Sequence, residues 1–516
     1  MKRKYDYVIV GAGSAGCVLA ARLSEDPNIQ VALVEAGGAD SAPEIHVPVA
    51  FPQLFKTQYD WDYASDPEPA LGGRTFYLPR GKMLGGSSSM NAMVYIRGNP
   101  KDYDDWKKDG ADGWSYADIL PYFIKSEDNE RGADRFHGAS GLLSVQDLRF
   151  KHPLMERFVE AGVQAGYSRR DDFNGAEQDG VGWFQVTQRN GRRWSAAAAY
   201  LHPAMVRPNL RVITGALTTR VVLEGRRATG IEIFHEGNAD TLRADREVIL
   251  SAGAYNSPKI LMLSGIGIAS ELRPIGIAVK HELPVGEDLQ DHPWVILSYF
   301  TDVPTLFGAG SAQDVAIFES EGRGPLSSNV SESGGFFRTH PGLDAPNVQI
   351  QAGAVMFYNQ ALSPPFDHAY SIGTNILKPM SRGKVSLRSA RPDAKPRIAC
   401  NLLTTLGDRM TMIEGVRLTL GIAEMPALTK VRRAPHLIPA STSEPDIWAF
   451  IQAQAQVVYH PTSTCGIGRV VDPQLRVFGL DNLRVVDASV MPTIVRGNTN
   501  AAVIAIAERA ADLIQG

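Results

Sequence analysis

The sequence predicts an α/β protein of two domains, one of which binds a nucleotide and is assembled from distant parts of the chain. Three observations predict it: a strand, glycine turn, helix and strand in residues 7–35, further buried-strand patterns near residues 250 and 485, and a stretch between them with no glycine fingerprint. The chain has 516 residues, a soft prior of about three domains or two large ones. Hydrophobic residues are 44% and charged residues 21% of it, enough apolar side chain for a large core, which excludes disorder. The 52 Lys and Arg against 56 Asp and Glu leave a formal net charge of -4, so nothing draws the chain to nucleic acid. Cys17, Cys400 and Cys465 are too far apart for a disulfide framework or a structural zinc site, no metal is expected, and a reducing compartment fits.

Residues 7–10 are a short apolar run that reads as a buried parallel strand. Gly11, Gly13 and Gly16 follow in the pattern Gly-x-Gly-x-x-Gly, residues 14–23 read as a helix, and the strand 30–34 ends in Glu35, 19 residues after Gly16. That order is the dinucleotide-binding βαβ fingerprint, so the domain is Rossmann-like. Gly11 tightens the turn, Gly13 lets the backbone approach a pyrophosphate at the helix N-terminus, and Gly16 lets the helix pack on the strand. Glu35 is placed to accept from the adenosine ribose hydroxyls, which disfavours a 2'-phosphate. A glycine turn in an ordinary α/β unit is the plainer alternative, and the acidic residue weighs against it. Lys2, Arg3 and Lys4 before the apolar residues 8–21 imitate a secretory signal peptide, but Asp6 interrupts the pattern. No other uncharged apolar run reaches about 18 residues, so no transmembrane segment is expected. A cytoplasmic location is the default, with peripheral membrane contact left open.

Past residue 40 the βα alternation stops, and residues 60–69 and 78–97 read as loops. Gly85-Gly86-Ser87-Ser88-Ser89 offers backbone N–H donors with little side-chain bulk, suited to a second phosphate or a ring contact. Its apolar flanks, Met83, Leu84, Met90, Met93, Val94 and Tyr95, favour a buried loop over a surface linker. Residues 248–251 read as a buried strand ending at a site, with a helix starting near Ser257-Pro258. Residues 483–486 read as a strand ending in Asp487-Ala488-Ser489, and 501–514 as a closing amphipathic helix. The nucleotide domain thus takes residues 1–150, 186–300 and 456–516. Residues 151–185 and 301–455, with strand patterns at 345–353 and 383–387, form a second, substrate-facing domain. There are no internal repeats and no low-complexity tract.

Longer motifs add a resemblance. Residues 79–98, built around Gly85-Gly86-Ser87-Ser88-Ser89-Met90-Asn91, and residues 253–267, from Gly253-Ala254-Tyr255-Asn256-Ser257-Pro258 to Gly265-Ile266-Gly267, are similar to the two signatures of the glucose-methanol-choline (GMC) flavin oxidoreductases. Val285-Gly286-Glu287-Asp288-Leu289-Gln290-Asp291-His292 resembles a third motif, with Asp288 where Asn is usual and one residue fewer before it. Tyr459-His460-Pro461 and Gly497-Asn498-Thr499-Asn500 resemble the catalytic elements. The likeness covers nearly the whole chain and points to the bacterial branch of alcohol, L-sorbose and choline-type dehydrogenases.

The resemblance implies an FAD-binding domain of discontinuous segments and an α+β substrate-binding domain with an antiparallel sheet. It implies that His460 is the base taking the hydroxyl proton, and that Asn498, which cannot be a base, donates to the alcohol oxygen. Cofactor contacts are expected from Gly11, Gly13, Ser14, Ala15 and Gly16, from Glu35 and Ala36, from Gly86, Ser87, Asn91, Ala92 and Met93, and from Thr218, Ala252, Asp487, Ala488, Thr499 and Asn500. Asn500 belongs with the pyrimidine end of the flavin, Asp487 and Ala488 with the ribityl and phosphate groups. Met90 stands where some relatives carry a histidine bonded to FAD, so the cofactor is expected to be non-covalent. The reaction implied is oxidation of a small primary alcohol to an aldehyde, with a quinone or O2 as electron acceptor. An oxidase using O2 alone and a hydroxynitrile lyase of the same fold are the alternatives, and the first fingerprint taken alone permits diffusible NAD. Phe336-Phe337 and the segment Val355-Met356-Phe357-Tyr358 read as pocket walls, so apolar aliphatic, benzylic or furanic alcohols are expected to outperform choline and sugars. Asp314, Glu319 and Glu321 are read as solvated, His292 as structural, holding a loop between the domains, and Cys17 and Cys465 as small buried apolar side chains.

Overall fold

Two seven-stranded sheets organise the protein in the computed structural model, which describes residues 4–516. Lys2 and Arg3, in the stretch resembling a signal peptide, lie outside the described residues. The first sheet runs in the order Leu210–Ile213, Val31–Val34, Lys4–Val10, Asn238–Leu250, Arg227–His235 and Ala216–Glu224, with Leu483–Val485 also paired to Asn238–Leu250. Its centre is parallel: Tyr7 lies opposite Val31 on one side and Glu247 on the other, and Val248 opposite Leu483. Val8, Ile9, Leu33, Ile249 and Val485 are wholly buried, which is why these strands read as unbroken apolar runs. Chain segments from the start, middle and end of the sequence therefore share one sheet, and the helices Ser14–Leu23 and Asn500–Gln515 pack together beside it. A fork of two hydrogen bonds from Arg22 to the buried Glu508, 2.9 and 2.8 Å, ties the two helices.

The helix expected near Ser257 starts earlier, as Gly253–Leu263, and carries Pro258 inside it. Proline there denies the Ala254 carbonyl its helical partner, and Thr464 Oγ1 donates to that carbonyl instead at 2.7 Å. Asp288, the departure from the usual Asn, has φ +61° and pairs with Arg469. Asn and Asp share the ability to enter that left-handed region, so the loop keeps its turn.

The second sheet is antiparallel throughout, in the order Arg432–Leu437, Pro293–Thr301, Ala369–Ile376, Val348–Gly353, Ser333–Phe337 and Gly180–Trp183. Gln456–Val457 also pairs with Pro293–Thr301, Trp294 lying opposite Gln456. The boundaries expected at residues 300 and 456 therefore fall inside this sheet. Pro293–Thr301 is buried along most of its length, so no change of composition marks where the chain passes from one sheet to the other.

A buried charge cluster anchors the end of the 79–98 stretch. Arg97 donates to Glu127 Oε2 at 2.6 Å, and His137 bridges Glu127 and Asp172 at 3.1 Å on each ring nitrogen. Burial opposes charge on His137, but the carboxylates of Asp172 and Glu127 outweigh it and raise its pKa from 6.5 to about 9. A group whose pKa rises on folding stabilises fully below its unfolded value, and that stabilisation is lost as pH climbs through the folded value. Thermal melting of the wild type is therefore expected to drop between about pH 6.5 and 9, with that part of the slope missing in His137→Gln. Parallel melting curves for the two proteins across that window would contradict the assignment.

Candidate active site

Residues of both sheets line one cavity with about 2210 Å³ of empty space, its open mouth included. All the expected cofactor contacts line this cavity except Gly16. A Cβ at Gly16 would stand 1.9 Å from the Gly11 carbonyl, so this glycine works behind the turn, where the helix meets the strand. Gly11 itself has φ +96° and lies against Ser251. Gly13, Ser14 and Ala15 bring the N-terminus of Ser14–Leu23 to the cavity with no side chain capping it, which leaves its backbone N–H groups for an anion.

Three further segments close around this end. Gly85 N–H donates to the Ala12 carbonyl at 2.8 Å, and Gly86, at φ +52°, presses on Gly13 so closely that a Cβ would be 2.8 Å from the Gly13 Cα. The 85–89 loop is thus buried, as its flanks predict. Glu35 accepts from the backbone N–H groups of Ala12 and Gly37 at 2.9 and 2.8 Å, which holds its carboxylate at the cavity wall. Asp487 accepts from Gly253 N–H at 2.9 Å, from Ser257 Oγ at 2.5 Å, and from the N–H and Oγ of Ser489 at 2.8 and 2.5 Å. Ser14 Oγ donates to Asn500 Oδ1 at 2.6 Å, joining the first helix to the last.

His460 and Asn498 lie at the other end, where backbone devices place each. Tyr459, just before the histidine, has φ +68°, a strained value for a residue with a side chain. Its carbonyl accepts from Arg80 at 2.6 Å, and the next N–H, that of His460, donates to Asp291 Oδ1 at 2.7 Å. The same Asp291 oxygen accepts from His292 N–H at 2.8 Å, so one buried carboxyl holds two histidine backbones. Asn498 follows Gly497, where φ is +123° and a Cβ would meet Ile96 at 2.5 Å. Before it, Arg496 N–H donates to the buried Asp102 at 2.6 Å and its guanidinium pairs with the same carboxylate.

Tautomers follow from the hydrogen bonds. His292 Nε2 lies 3.1 Å from the carbonyls of both Leu377 and Val495, groups that only accept, so Nε2 carries hydrogen. Burial, then the charge of Lys378, drives the His292 pKa down to about 3, so its Nδ1 is bare. His460 Nδ1 is 2.9 Å from that bare nitrogen and must donate to it. His460 Nε2 is then an unprotonated lone pair, 3.3 Å from Asn498 Nδ2. Burial first, then the nearby His292 and Arg80, hold His460 well below 6.5, so it is neutral at pH 7. A neutral imidazole oriented by a second histidine, beside an amide N–H, can take a proton from a bound hydroxyl. His292 therefore does more than hold a loop. Nothing in its sequence neighbourhood announces this, because its partner is 168 residues away.

The expected pocket walls are partly corrected. Phe336 and Phe337 are buried in core clusters and do not line this cavity, and Val355 and Phe357 do, while the alternate residues Met356 and Tyr358 do not. Ser333–Phe337 is buried at every position, so its sequence carries no sign of which face looks where. Trp294, Ile296 and Val330 line the cavity and were not anticipated. Trp294 lies flat over Gly373, where a Cβ would stand 2.1 Å from its indole nitrogen. Asp314, Glu319 and Glu321 lie on the helix Ala312–Glu321 away from the cavity, and Glu319 pairs with Arg192.

A cavity that runs from a βαβ phosphate turn to a paired histidine suits a bound dinucleotide next to a substrate that gives up a proton, and defines an oxidoreductase. Residues 5–294 and 379–507 match the GMC oxidoreductase family. The chain is 44% identical to the alcohol dehydrogenase (acceptor) of Pseudomonas putida over 99% of this chain and 95% of that protein. It is 43% identical to the mitochondrial choline dehydrogenase of Mus musculus over 100% of this chain and 90% of that protein. The crystal structure of pyridoxine 4-oxidase from Mesorbium loti superposes with a TM-score of 0.90 at 34% identity, covering 98% of each chain. The chain belongs to the GMC oxidoreductase family and is an FAD-dependent enzyme acting on CH-OH groups.

The residues present fit FAD. A Cβ at Gly11 or Gly86 would collide with the backbone of Ser251 or Gly13, so only glycine lets these segments close around the turn, the first helix turn is uncapped, and the hydroxyls of Thr218 and Ser251, buried in the lining, have no partner in the protein. Among the described residues no helix is long and apolar enough to cross a membrane.

Proposed function

We propose that the chain oxidises apolar aliphatic, benzylic or furanic primary alcohols to aldehydes, with His460 as the base and a quinone-like acceptor or O2 taking the electrons. One observation carries the substrate class: among the described residues the only carboxylates lining the cavity are Glu35 and Asp487, both held by hydrogen bonds near the glycine turn. A choline-type cation would meet Trp294 and Phe357 but no carboxylate in the lining at the His460 end, where Asp291 lies behind the histidine with its Oδ1 bonded to two backbone N–H groups, and the Arg80 guanidinium would oppose it. A sugar would meet Ser331, Gln351 and Ser371, but the hydroxyls of both serines already donate within the protein, to Gln351 Oε1 and to the Val355 carbonyl. The names of two relatives point different ways, one to choline and one to an alcohol, and the lining supports the second.

FAD, when bound, supplies the hydride acceptor. The chain supplies the rest. His460 Nε2 receives the hydroxyl proton, Asn498 Nδ2 donates to the oxygen as charge develops on it, and the apolar walls exclude water. Gly13, Ser14 and Ala15 would hold the pyrophosphate, Glu35 the adenosine ribose, Asp487 and Ala488 the ribityl and phosphate region, and Asn500 the pyrimidine end. Met90 lines the cavity, and a thioether cannot make the link that a histidine makes to FAD in some relatives, which supports non-covalent binding. The three cysteines are free and buried, which supports a cytoplasmic location.

Anaerobic mixing with an aliphatic alcohol, a benzylic alcohol, choline and sorbose tests the reading. The first two are expected to bleach the flavin with the higher kcat/KM, and choline or sorbose ranking first would overturn the substrate class. Acid precipitation is expected to leave the yellow colour in the supernatant, and colour kept by the pellet would overturn non-covalent binding.

A further inference from the structure

We propose that Gln349 decides which end of the Asn498 amide meets the substrate, making it a positioning residue for the oxidation; the proposal rests on His460 acting as base and Asn498 as donor. A hydrogen-bond chain of fixed polarity leads to it. The carbonyls of Leu377 and Val495 oblige His292 to carry its hydrogen on Nε2, which obliges His460 to carry its own on Nδ1 and leaves His460 Nε2 bare. A bare nitrogen 3.3 Å from the Asn498 amide calls for the NH2 end of that amide. The amide oxygen then faces the other way, where Gln349 Nε2 donates to it at 3.2 Å. Gln349 in turn presents its own oxygen to Asn375 Nδ2 at 3.5 Å.

An amide's two ends have nearly the same shape, so packing alone does not choose between them. The choice is made from both ends, by the bare Nε2 of His460 on one side and on the other by the donor Nε2 of Gln349. Gln349 has no measurable exposure, it stands within the strand Val348–Gly353, and it lies opposite Asn375 in the register of the neighbouring strand. Asn375 is itself two residues before Leu377, whose carbonyl starts the chain, so both ends of the chain are held by one segment. With its oxygen taken by Gln349, Asn498 turns its NH2 group toward His460 and the cavity it lines, and a bound hydroxyl would replace it as the donor to the single lone pair of His460 Nε2.

Gln349→Glu in the FAD-loaded enzyme tests this with almost no change of shape. A protonated Glu can donate as Gln does, whereas an ionised Glu only accepts and would turn the Asn498 amide over, aiming oxygen at His460 and at the alcohol. The rate of flavin reduction by benzyl alcohol, taken as a ratio to wild type, is expected to be near one at acid pH and to fall about 10- to 100-fold as the new carboxyl ionises. Gln349→Leu, which introduces no charge, is expected to lose rate by a factor that does not change with pH. A second readout needs no turnover: in protein labelled with 15N-histidine, the His460 Nε2 resonance is expected to be unprotonated in wild type and to move toward the protonated range in Gln349→Glu at alkaline pH. A pH-independent ratio for Gln349→Glu, in protein that keeps its flavin and melting temperature, would overturn the proposal, as would an unmoved His460 resonance. If the base were elsewhere, His460→Ala would keep its rate while the resonance of His460 still responded to Gln349→Glu, so the two readings fail separately.

Discussion

His460→Ala is expected to slow flavin reduction by a factor of about 10² to 10⁴, the range for loss of a general base, with FAD still bound. The geometry makes this the largest effect. His460 Nδ1 is committed to His292, its backbone N–H to Asp291, and only Nε2 is left with a lone pair at the cavity. Burial first, then His292 and Arg80, depress its pKa, so nearly every molecule is in the basic form at neutral pH. Among the described residues no other histidine lines the cavity: His292 is fully buried behind His460, its own nitrogens engaged. FAD retention follows because the expected cofactor contacts cluster at Gly11 to Ala15, Glu35, Gly86 and Asp487, none of which bonds to the imidazole. Stopped-flow reduction under anaerobic conditions, with flavin content measured on the same sample, checks both halves. A variant reducing its flavin at the wild-type rate would show that the proton goes elsewhere.

Asn498→Ala is the second largest. It removes the amide that donates to His460 Nε2 and that would donate to the oxygen as charge grows there. A hydrogen bond to a charged group contributes about 1.5–3 kcal/mol, which predicts a reductive rate lower by about 10- to 150-fold. The same change leaves the buried Gln349 amide without its acceptor, so a lower melting temperature is expected as well, by the desolvation cost of one unpaired N–H. The loop should survive, because Arg496 remains tied to Asp102 and Gly497 keeps its turn. A change of under about twofold in the reductive rate would place Asn498 outside the reaction.

The dinucleotide end was legible in the chain because its physics is local. Gly11, Gly13, Gly16 and Glu35 lie within 25 residues of one another, and each is required by a turn, a close approach or a strand end that its neighbours also announce. His460 and Asn498 were legible only through the resemblance of their motifs, since a histidine before a proline and an Asn after a glycine have many ordinary uses. The helix at Gly253 was read a turn late, because Pro258 looks like a start unless the rescuing hydroxyl of Thr464, more than 200 residues on, is known. Phe336 and Phe337 read as pocket walls in the sequence because an apolar pair in a strand buried on both faces carries no parity, and the neighbouring strands alone settle it.

By itself, then, the sequence determined an α/β nucleotide-binding core built from three distant segments, its glycine turn, the acidic residue that ends its second strand, and, through its motifs, the family. Tertiary structure decided how those side chains are arranged: which histidine nitrogen is bare, which end of Asn498 meets His460 and which meets Gln349, and that Trp294 and Phe357 line the cavity. The reason is physical. Turns, caps and strand periods are written in residues that are neighbours along the chain, whereas a tautomer depends on what a ring nitrogen meets across a fold, here His292 at a separation of 168 residues from His460 and Gln349 at 149 from Asn498.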